Sequence, residues 1–508
     1  MPGPSEVWLG VDVGTQSVRC LAIDHTGRVV ARGSAGLRSI RDGVRHEQDP
    51  REWERALAEA ARQAMAALGP RPVRAIALCA TSGTVLLTDQ SGEPLTPALM
   101  YDDARATSEA ARAISAGEPL WGSLGYRPQP SWALPKLVWL LAHTPRLPRR
   151  GVHVTHQADH LTGMLIGARS AVDSSHVLKT GYDLDRERWP SDLYEQLGAP
   201  TEMLPEVVRP GSLLGEVAPQ ATAVTGIPTG TPVIAGMTDG CAALIGSGTC
   251  DEGAWNSVLG TTLVLKGVTT DRIRDPLGVL YSHRAPDGGW LPGGACSAGA
   301  GVLSAEFGGS DLDALSARAA ARADTPAFTY PLLSRGERFP FVAPEAKRFS
   351  VGELGDEVDR YAAVLRGVAY VERLCFDYLD LLGAPTYGRL SLSGGGARSR
   401  YWSQLRADTL GRQVALPRDA DPATGMALLA RSGAASLARS GAASLADAAR
   451  ELTRDEEVLA PDLRRRDVLT EGYLAMVNAL RERGWLPEQL ADHAERRSSA
   501  GSDERGTR

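Results

Sequence analysis

Asp239 lies in Ala235-Gly236-Met237-Thr238-Asp239-Gly240, where an apolar strand-like run ends and a helical run begins. An acid there is either a helix N-cap or a general base that takes the proton from an attacking hydroxyl. A base needs an electrophile to serve, and two turns in the chain have the chemistry of phosphate sites. Asp12-Val13-Gly14-Thr15-Gln16-Ser17 stands at the tip of the first predicted hairpin, and Gly260-Thr261-Thr262 at the tip of a later one. Such turns present backbone N–H groups and hydroxyls with no bulky Cβ in the way, which makes Gly14, Thr15, Gln16, Ser17, Gly260, Thr261 and Thr262 candidate phosphate ligands. Asp12 is the candidate for Mg2+ or its waters, with Asp239 as a second, because Mg2+ prefers carboxylate and phosphate oxygens.

A third element is Leu392-Ser393-Gly394-Gly395-Gly396-Ala397-Arg398-Ser399, a strand running into three glycines and then a helix. Three successive glycines cost conformational entropy that an ordinary turn does not require. They let backbone lie flat against a base or ribose, and the following helix N-terminus favours phosphate, so Gly394, Gly395, Gly396 and Arg398 are nucleotide candidates. Two other features are weaker. His156 and His160 are four apart on a predicted helix but lack an acidic third ligand at useful spacing, and Lys179 is as readily a solvated lysine as a phosphate or sugar contact.

These groups must be positioned by an α/β framework. Val7 to Val13, Val18 to Asp24 and a strand from Arg28 read as a meander. Asp49-Pro50 then caps a helix to Leu68, with Trp53, Leu57, Ala61 and Ala64 at helical spacing, and Val73 to Ala80 is a buried strand. Helices are expected around Trp132 to His143 and His156 to Ile166, the segment from Pro119 to Pro148 being an insertion. After the flexible Gly246-Ser247-Gly248 the pattern starts again: strand Trp255 to Leu259, a Gly-Thr turn, strand Leu263 to Lys266, a long helix from Glu357 to Leu382 and strand Arg389 to Ser393. The expected domains are therefore 1–247, carrying sugar and base, and 248–486, carrying nucleotide, followed by a tail, 487–508, which lacks large apolar residues from Glu495 and is expected to be disordered. Arg431 to Ala438 (RSGAASLA) is repeated at once in the next eight residues, a local duplication too short for a solenoid.

With 508 residues the chain exceeds a single core, and its net charge of -6 with dispersed Lys and Arg gives no electrostatic footprint for nucleic acid. No apolar run approaches a membrane span, so the expectation is a cytoplasmic protein without membrane contact. Six scattered cysteines with no metal spacing read as reduced and structural.

The motifs DVGTQS, GMTDG, LGTT and SGGGARS, in this order from about Trp8 to Ala430, resemble the first phosphate, catalytic-base, second phosphate and adenosine motifs of the FGGY carbohydrate kinases. The resemblance implies two actin-like ATPase (ribonuclease H-like) lobes with a cleft between them. It further implies MgATP bound largely by the second lobe, sugar bound mainly by the first, and lobe closure in turnover, with Asp239 as the base and Asp12 near metal and phosphates. It admits a homodimer. Intact Asp12, Asp239 and both Gly-Thr turns speak against the rival from another class, a non-catalytic sugar-binding regulator on the same fold.

The segment Thr96 to Arg105 is similar to the P-A-x-x-W-x-D-x-R stretch of xylulokinases, with Tyr101 in place of Trp, and it puts Asp103 and Arg105 at the sugar. Where xylulokinases typically show Gln-Met-His-Gly, this chain has Ala80-Thr81-Ser82-Gly83. Thr81 and Ser82, with Leu178 to Asp183, Val279 to Arg284 and Gly240 after the base, look more like the D-ribulose kinases of the family. The implied substrate is a ketopentose, D-ribulose first, with a xylulokinase or broader polyol kinase as the alternative.

Overall fold

The computed structural model describes residues 6–147, 150–437 and 444–503. The chain packs into two units: one of Met1–Cys250, His283–Leu291 and Asp419–Thr453, the other of Asp251–Ser282, Pro292–Arg418 and Arg454–Arg508. The first unit is thus discontinuous, closing only after the chain returns beyond residue 418.

Its sheet is built on β1 (Val7–Val13), β2 (Ser17–Asp24), β3 (Val29–Gly36), β4 (Val73–Ala80), β5 (Leu213–Glu216) and β6 (Pro232–Ile234), in the order β5-β6-β4-β1-β2-β3. β1 runs antiparallel to β2 and parallel to β4, and β4 parallel to β6. All seven residues of β1 are buried, as a central strand covered on both faces requires. One cover is α1 (Pro50–Leu68): Asp49 accepts from Arg51 N, Pro50 stands in the first turn, and Trp53, Leu57, Ala61 and Ala64 form the buried stripe. The helix stops at Gly69, whose N–H bonds Met65 O. Removing the Trp53 indole from this stripe would cost about 3–5 kcal/mol. Across the sheet lies the helix Pro422–Leu437, which packs against both β1 and α2 (Asp239–Gly246). A Cβ on Gly425 would meet Ala242 O at 2.0 Å, so glycine is what lets that helix lie against α2.

The second unit repeats the plan. β7 (Trp255–Leu259), β8 (Leu263–Gly267), β9 (Trp290–Ala295), β10 (Leu390–Ser393), β11 (Val414–Pro417) and β12 (Asp455–Leu459) are consecutive in the order β9-β8-β7-β10-β11-β12. β7 pairs antiparallel with β8 and parallel with β10, β10 parallel with β11, and β11 antiparallel with β12. β5 is likewise antiparallel to β6. Six strands of each unit therefore match in order and direction, the ribonuclease H-like arrangement of an actin-like ATPase unit. The second core gathers on the 25-residue helix α3 (Glu357–Leu381), capped by Asp356, with nineteen of its residues buried.

Two expectations need correction. The stretch expected to be a disordered tail contains the helix Glu488–Asp503. Leu490, Ala491 and Ala494 give it a buried apolar face, while Arg481 reaches Asp492 and Glu495, and Arg497 reaches Asp377. The expectation rested on the polar composition after Glu495, and it missed the apolar residues just before. His156 ends the strand His153–His156 and caps the helix Gln157–Ile166, so it does not share a helix face with His160. Those two rings go to separate partners, Thr180 at 2.7 Å and Glu54 at 2.9 Å. Of the octapeptide duplication, residues 438–443 lie outside the described residues; the described helices on either side are Pro422–Leu437 and Leu445–Leu452. None of the six cysteines forms a disulfide, and among the described residues no helix is long and apolar enough to cross a membrane.

Candidate active site

Asp12 is the penultimate residue of β1 and Asp239 opens α2, both on the edge of the first sheet where parallel strands end, the usual site for ligands in open α/β sheets. Thr238 takes the N-cap position, so Asp239 is the first residue of the helix, its Oδ1 accepting from Gly240 N at 2.7 Å. Asp421, which the sequence reading did not single out, completes the group. Its carboxylate accepts from Ala423 N at 2.9 Å at the start of the helix Pro422–Leu437. Burial first, then the charges of Asp421 and Asp239, push the Asp12 carboxyl up to about 7, while Arg19 and a hydrogen bond from Cys79 pull the other way. Arg19 Nη1 is 3.8 Å from Asp12 and 3.6 Å from Asp421, with its side chain 54% exposed.

Three carboxylates with one half-exposed guanidinium form an anionic excess that suits a divalent cation. Among the described residues no group of three or more His, Cys, Asp or Glu side chains is arranged to hold a metal by itself. Mg2+ asks for no such cage, since it is held through one or two carboxylates with waters and substrate phosphates.

The turn after β1 is held from below. Gly14 N bonds Ser17 O, and Leu37 N bonds Gln16 O. Buried Gln48 donates to Thr15 O at 2.7 Å and accepts from Trp53 Nε1 at 2.6 Å, which ties the turn to the first residues of α1. Gln16 stays exposed at the tip, with Gly14, Thr15 and Ser17 partly exposed.

After β4 comes the predicted sugar segment. Thr81 is engaged: its Oγ1 stands 2.7 Å from Gln157 Oε1 and 2.6 Å from Thr84 Oγ1. Ser82 Oγ, by contrast, is buried with no hydrogen-bond partner, and Lys179 Nζ donates to Ser82 O at 3.3 Å. An orphaned buried hydroxyl in a turn at the edge of the sheet is a group awaiting a polar ligand. Asp103 and Arg105 are brought together chiefly with one another: Arg105 donates from Nη2 at 2.7 Å and from Nε at 3.0 Å. Asp103 also accepts from His46 N, and Arg105 reaches Glu47 and stacks on Trp139. This pair is buried. Beside it, Lys136 is fully buried and donates to Met100 O at 2.7 Å. Burial pushes its ammonium down to about 7 against the opposing charge of Asp103.

In the second unit the Gly260-Thr261-Thr262 turn joins β7 to β8, with Gly260 N bonded to Thr262 O, and Ala300 N and Gly301 N bonded to Gly260 O and Thr261 O. Gly394 and Gly396 follow β10 and press on Leu259, the residue before that turn, whereas Gly395 has open space about its Cα. Arg398 is exposed in the short 3-10 turn Gly395–Arg398, and Ser399 caps the helix α4 (Arg400–Leu410) through Trp402 N. Two of the three glycines thus serve strand packing, which leaves Gly395 as the one with room for a ligand.

Residues 7–246 match the N-terminal domain, and residues 255–434 the C-terminal domain, of the FGGY family of carbohydrate kinases. The xylulose kinase of Streptomyces rubiginosus is 31% identical, over 81% of this chain and 85% of its own length. That of Escherichia coli K12 is 29% identical, over 84% and 90%. The crystal structure of xylulose kinase from Rhodospirillum rubrum is 26% identical and superposes with a TM-score of 0.82, covering 94% of this chain and 99% of its own.

Proposed function

We propose, for a chain that belongs to the FGGY family of carbohydrate kinases and is therefore a phosphotransferase, that it transfers the terminal phosphoryl group of MgATP to a ketopentose, D-ribulose before D-xylulose. The carrying observation is the carboxylate group of the first unit, where Asp239 is not the helix cap and shares its field with Asp12 and Asp421. Asp239 accepts the proton of the sugar hydroxyl as its oxygen attacks phosphorus, and the phosphate–phosphate bond to ADP breaks. Mg2+, when bound, offsets charge on the phosphates; Asp12 would hold it or its waters, with Asp239 nearby. The turns at Gly14–Ser17 and Gly260–Thr262 orient phosphates through N–H groups and hydroxyls, and Gly394–Gly396 with Arg398 receive the nucleoside.

Thr81 and Ser82 stand where xylulokinases typically carry a methionine and a histidine, and the orphaned Ser82 hydroxyl offers a hydrogen bond to a sugar oxygen. This favours D-ribulose. The relatives named xylulose kinases favour D-xylulose, the second reading. Release of ADP by purified protein with MgATP across D-ribulose, D-xylulose, L-ribulose and glycerol separates the two. The highest kcat/KM on D-ribulose is expected; the highest on D-xylulose replaces the substrate, and the highest on glycerol removes the ketopentose. Asp239→Asn is expected to keep the fold and lose turnover by about 10²–10⁴-fold.

A further inference from the structure

Behind the candidate base lies a buried polar cluster that no residue motif announced. Asp173 ends the short strand Val172–Asp173 and is 4% exposed; Ser175 and His176 are wholly buried. Ser175 Oγ donates to Asp173 Oδ1 at 2.5 Å, and Asp173 Oδ2 stands 2.5 Å from His176 Nδ1. The other faces of the two side chains reach the active-site edge of the sheet. Ser175 Oγ accepts from Thr238 N at 2.9 Å, the amide immediately before Asp239. His176 Nε2 donates to Ala80 O at 3.3 Å, the carbonyl immediately before Thr81 and Ser82. Ala80 and Thr238 are themselves joined by a parallel bridge.

We propose that Asp173, Ser175 and His176 act as positioning residues, a bracket that fixes the direction in which Asp239 leaves the sheet and holds the sugar segment in register with it. The inference rests on the reading of Asp239 as the base. Both ring nitrogens of His176 face acceptors, so the ring is an imidazolium paired with a carboxylate. The paired carboxylate in turn holds His176 above its ordinary value, though burial opposes. The pair polarises the Ser175 hydroxyl and orients its lone pair at Thr238 N. A base that must lie within hydrogen-bond reach of one hydroxyl gains its rate from such constraint, because small misplacements are expensive in turnover and cheap in binding.

The test is a steady-state comparison of folded variants on the best sugar of the panel. Ser175→Ala, which removes the acceptor, and Thr238→Pro, which removes the donor, are each expected to lower kcat about tenfold with sugar KM within about twofold. Thr238 has φ −65°, the angle proline imposes, so the second variant keeps the backbone where it is. Ser175→Thr, retaining the hydroxyl, restores most of kcat. Ser174→Ala, at the buried neighbour, leaves it unchanged. Wild-type kcat in either folded variant, a change confined to KM, or an equal loss in Ser174→Ala overturns the proposal. Should Ser175→Ala not fold, Thr238→Pro decides alone. Undiminished turnover in Asp239→Asn would instead sink the base assignment itself, so the two failures are told apart.

Discussion

Gly394 stands against the backbone of Leu259, where a Cβ would meet the Leu259 carbonyl oxygen at 2.7 Å. Its φ of 83° with ψ near 180° belongs to a region open essentially to glycine. The contact joins the end of β10 to the residue before the second phosphate turn. Gly394→Ala therefore strains the backbone by about 1–3 kcal/mol and displaces the turn. The expected result is an ATP KM raised about tenfold with sugar KM little changed, read from initial rates at varied ATP.

Gln48 links the first phosphate turn to the core. Gln48→Leu leaves Thr15 O and the Trp53 indole N–H without their partner, at about 1–3 kcal/mol for each group that stays buried. A lower melting temperature and a several-fold higher ATP KM are expected. Trp53→Phe should reproduce the effect on KM more weakly, because Gln48 would still reach Thr15.

Asp12 predicts a pH dependence opposite to that of an ordinary paired carboxylate. Its carboxyl titrates at about 7 when folded, against 3.8 ordinarily, so between those values the folded chain binds the extra proton and loses stability as pH rises. Asp12→Asn removes this penalty. In the absence of Mg2+ and nucleotide, the melting temperature of Asp12→Asn relative to wild type should climb from pH 4 to 7 and level off above. A difference independent of pH would show that burial and the neighbouring carboxylates do not raise the Asp12 carboxyl.

Arg406 and Glu372 are both fully buried, joined at 2.6 and 2.7 Å, and Arg406 also donates to Ser257 in β7. Arg406→Leu strands a buried carboxylate, for which about 3–5 kcal/mol of lost stability is expected by urea unfolding. Replacing Arg406 and Glu372 together by apolar residues should recover much of that loss.

The duplicated plan of strand, Gly-Thr turn and strand was legible because short alternating runs and turn residues are local signals. Asp12, Asp239 and the glycine run were legible for the same reason. Asp421 was not, although Asp421-Pro422 is the same cap-and-proline pair that marked α1 at Asp49-Pro50. Its chemistry arises only when the returning helix brings it beside Asp12, which no window of sequence reports. Ser175 and Gln48 escaped for a like reason, since a hydroxyl or amide has no periodicity and its importance lies in one distant amide or carbonyl. The terminal helix was missed because polar composition was weighed above three apolar residues at helical spacing.

The return of residues 419–453 to the first unit has a consequence for synthesis. The strand bearing Asp12 leaves the ribosome long before the helix that covers it, by on the order of half a minute at ordinary elongation rates. During that interval one face of β1 lacks its native lid and is open to aggregation or to a holding chaperone. Translation halted before Pro422 would therefore yield a nascent chain that is protease-sensitive throughout its first half, and one carried past Leu437 would become resistant there.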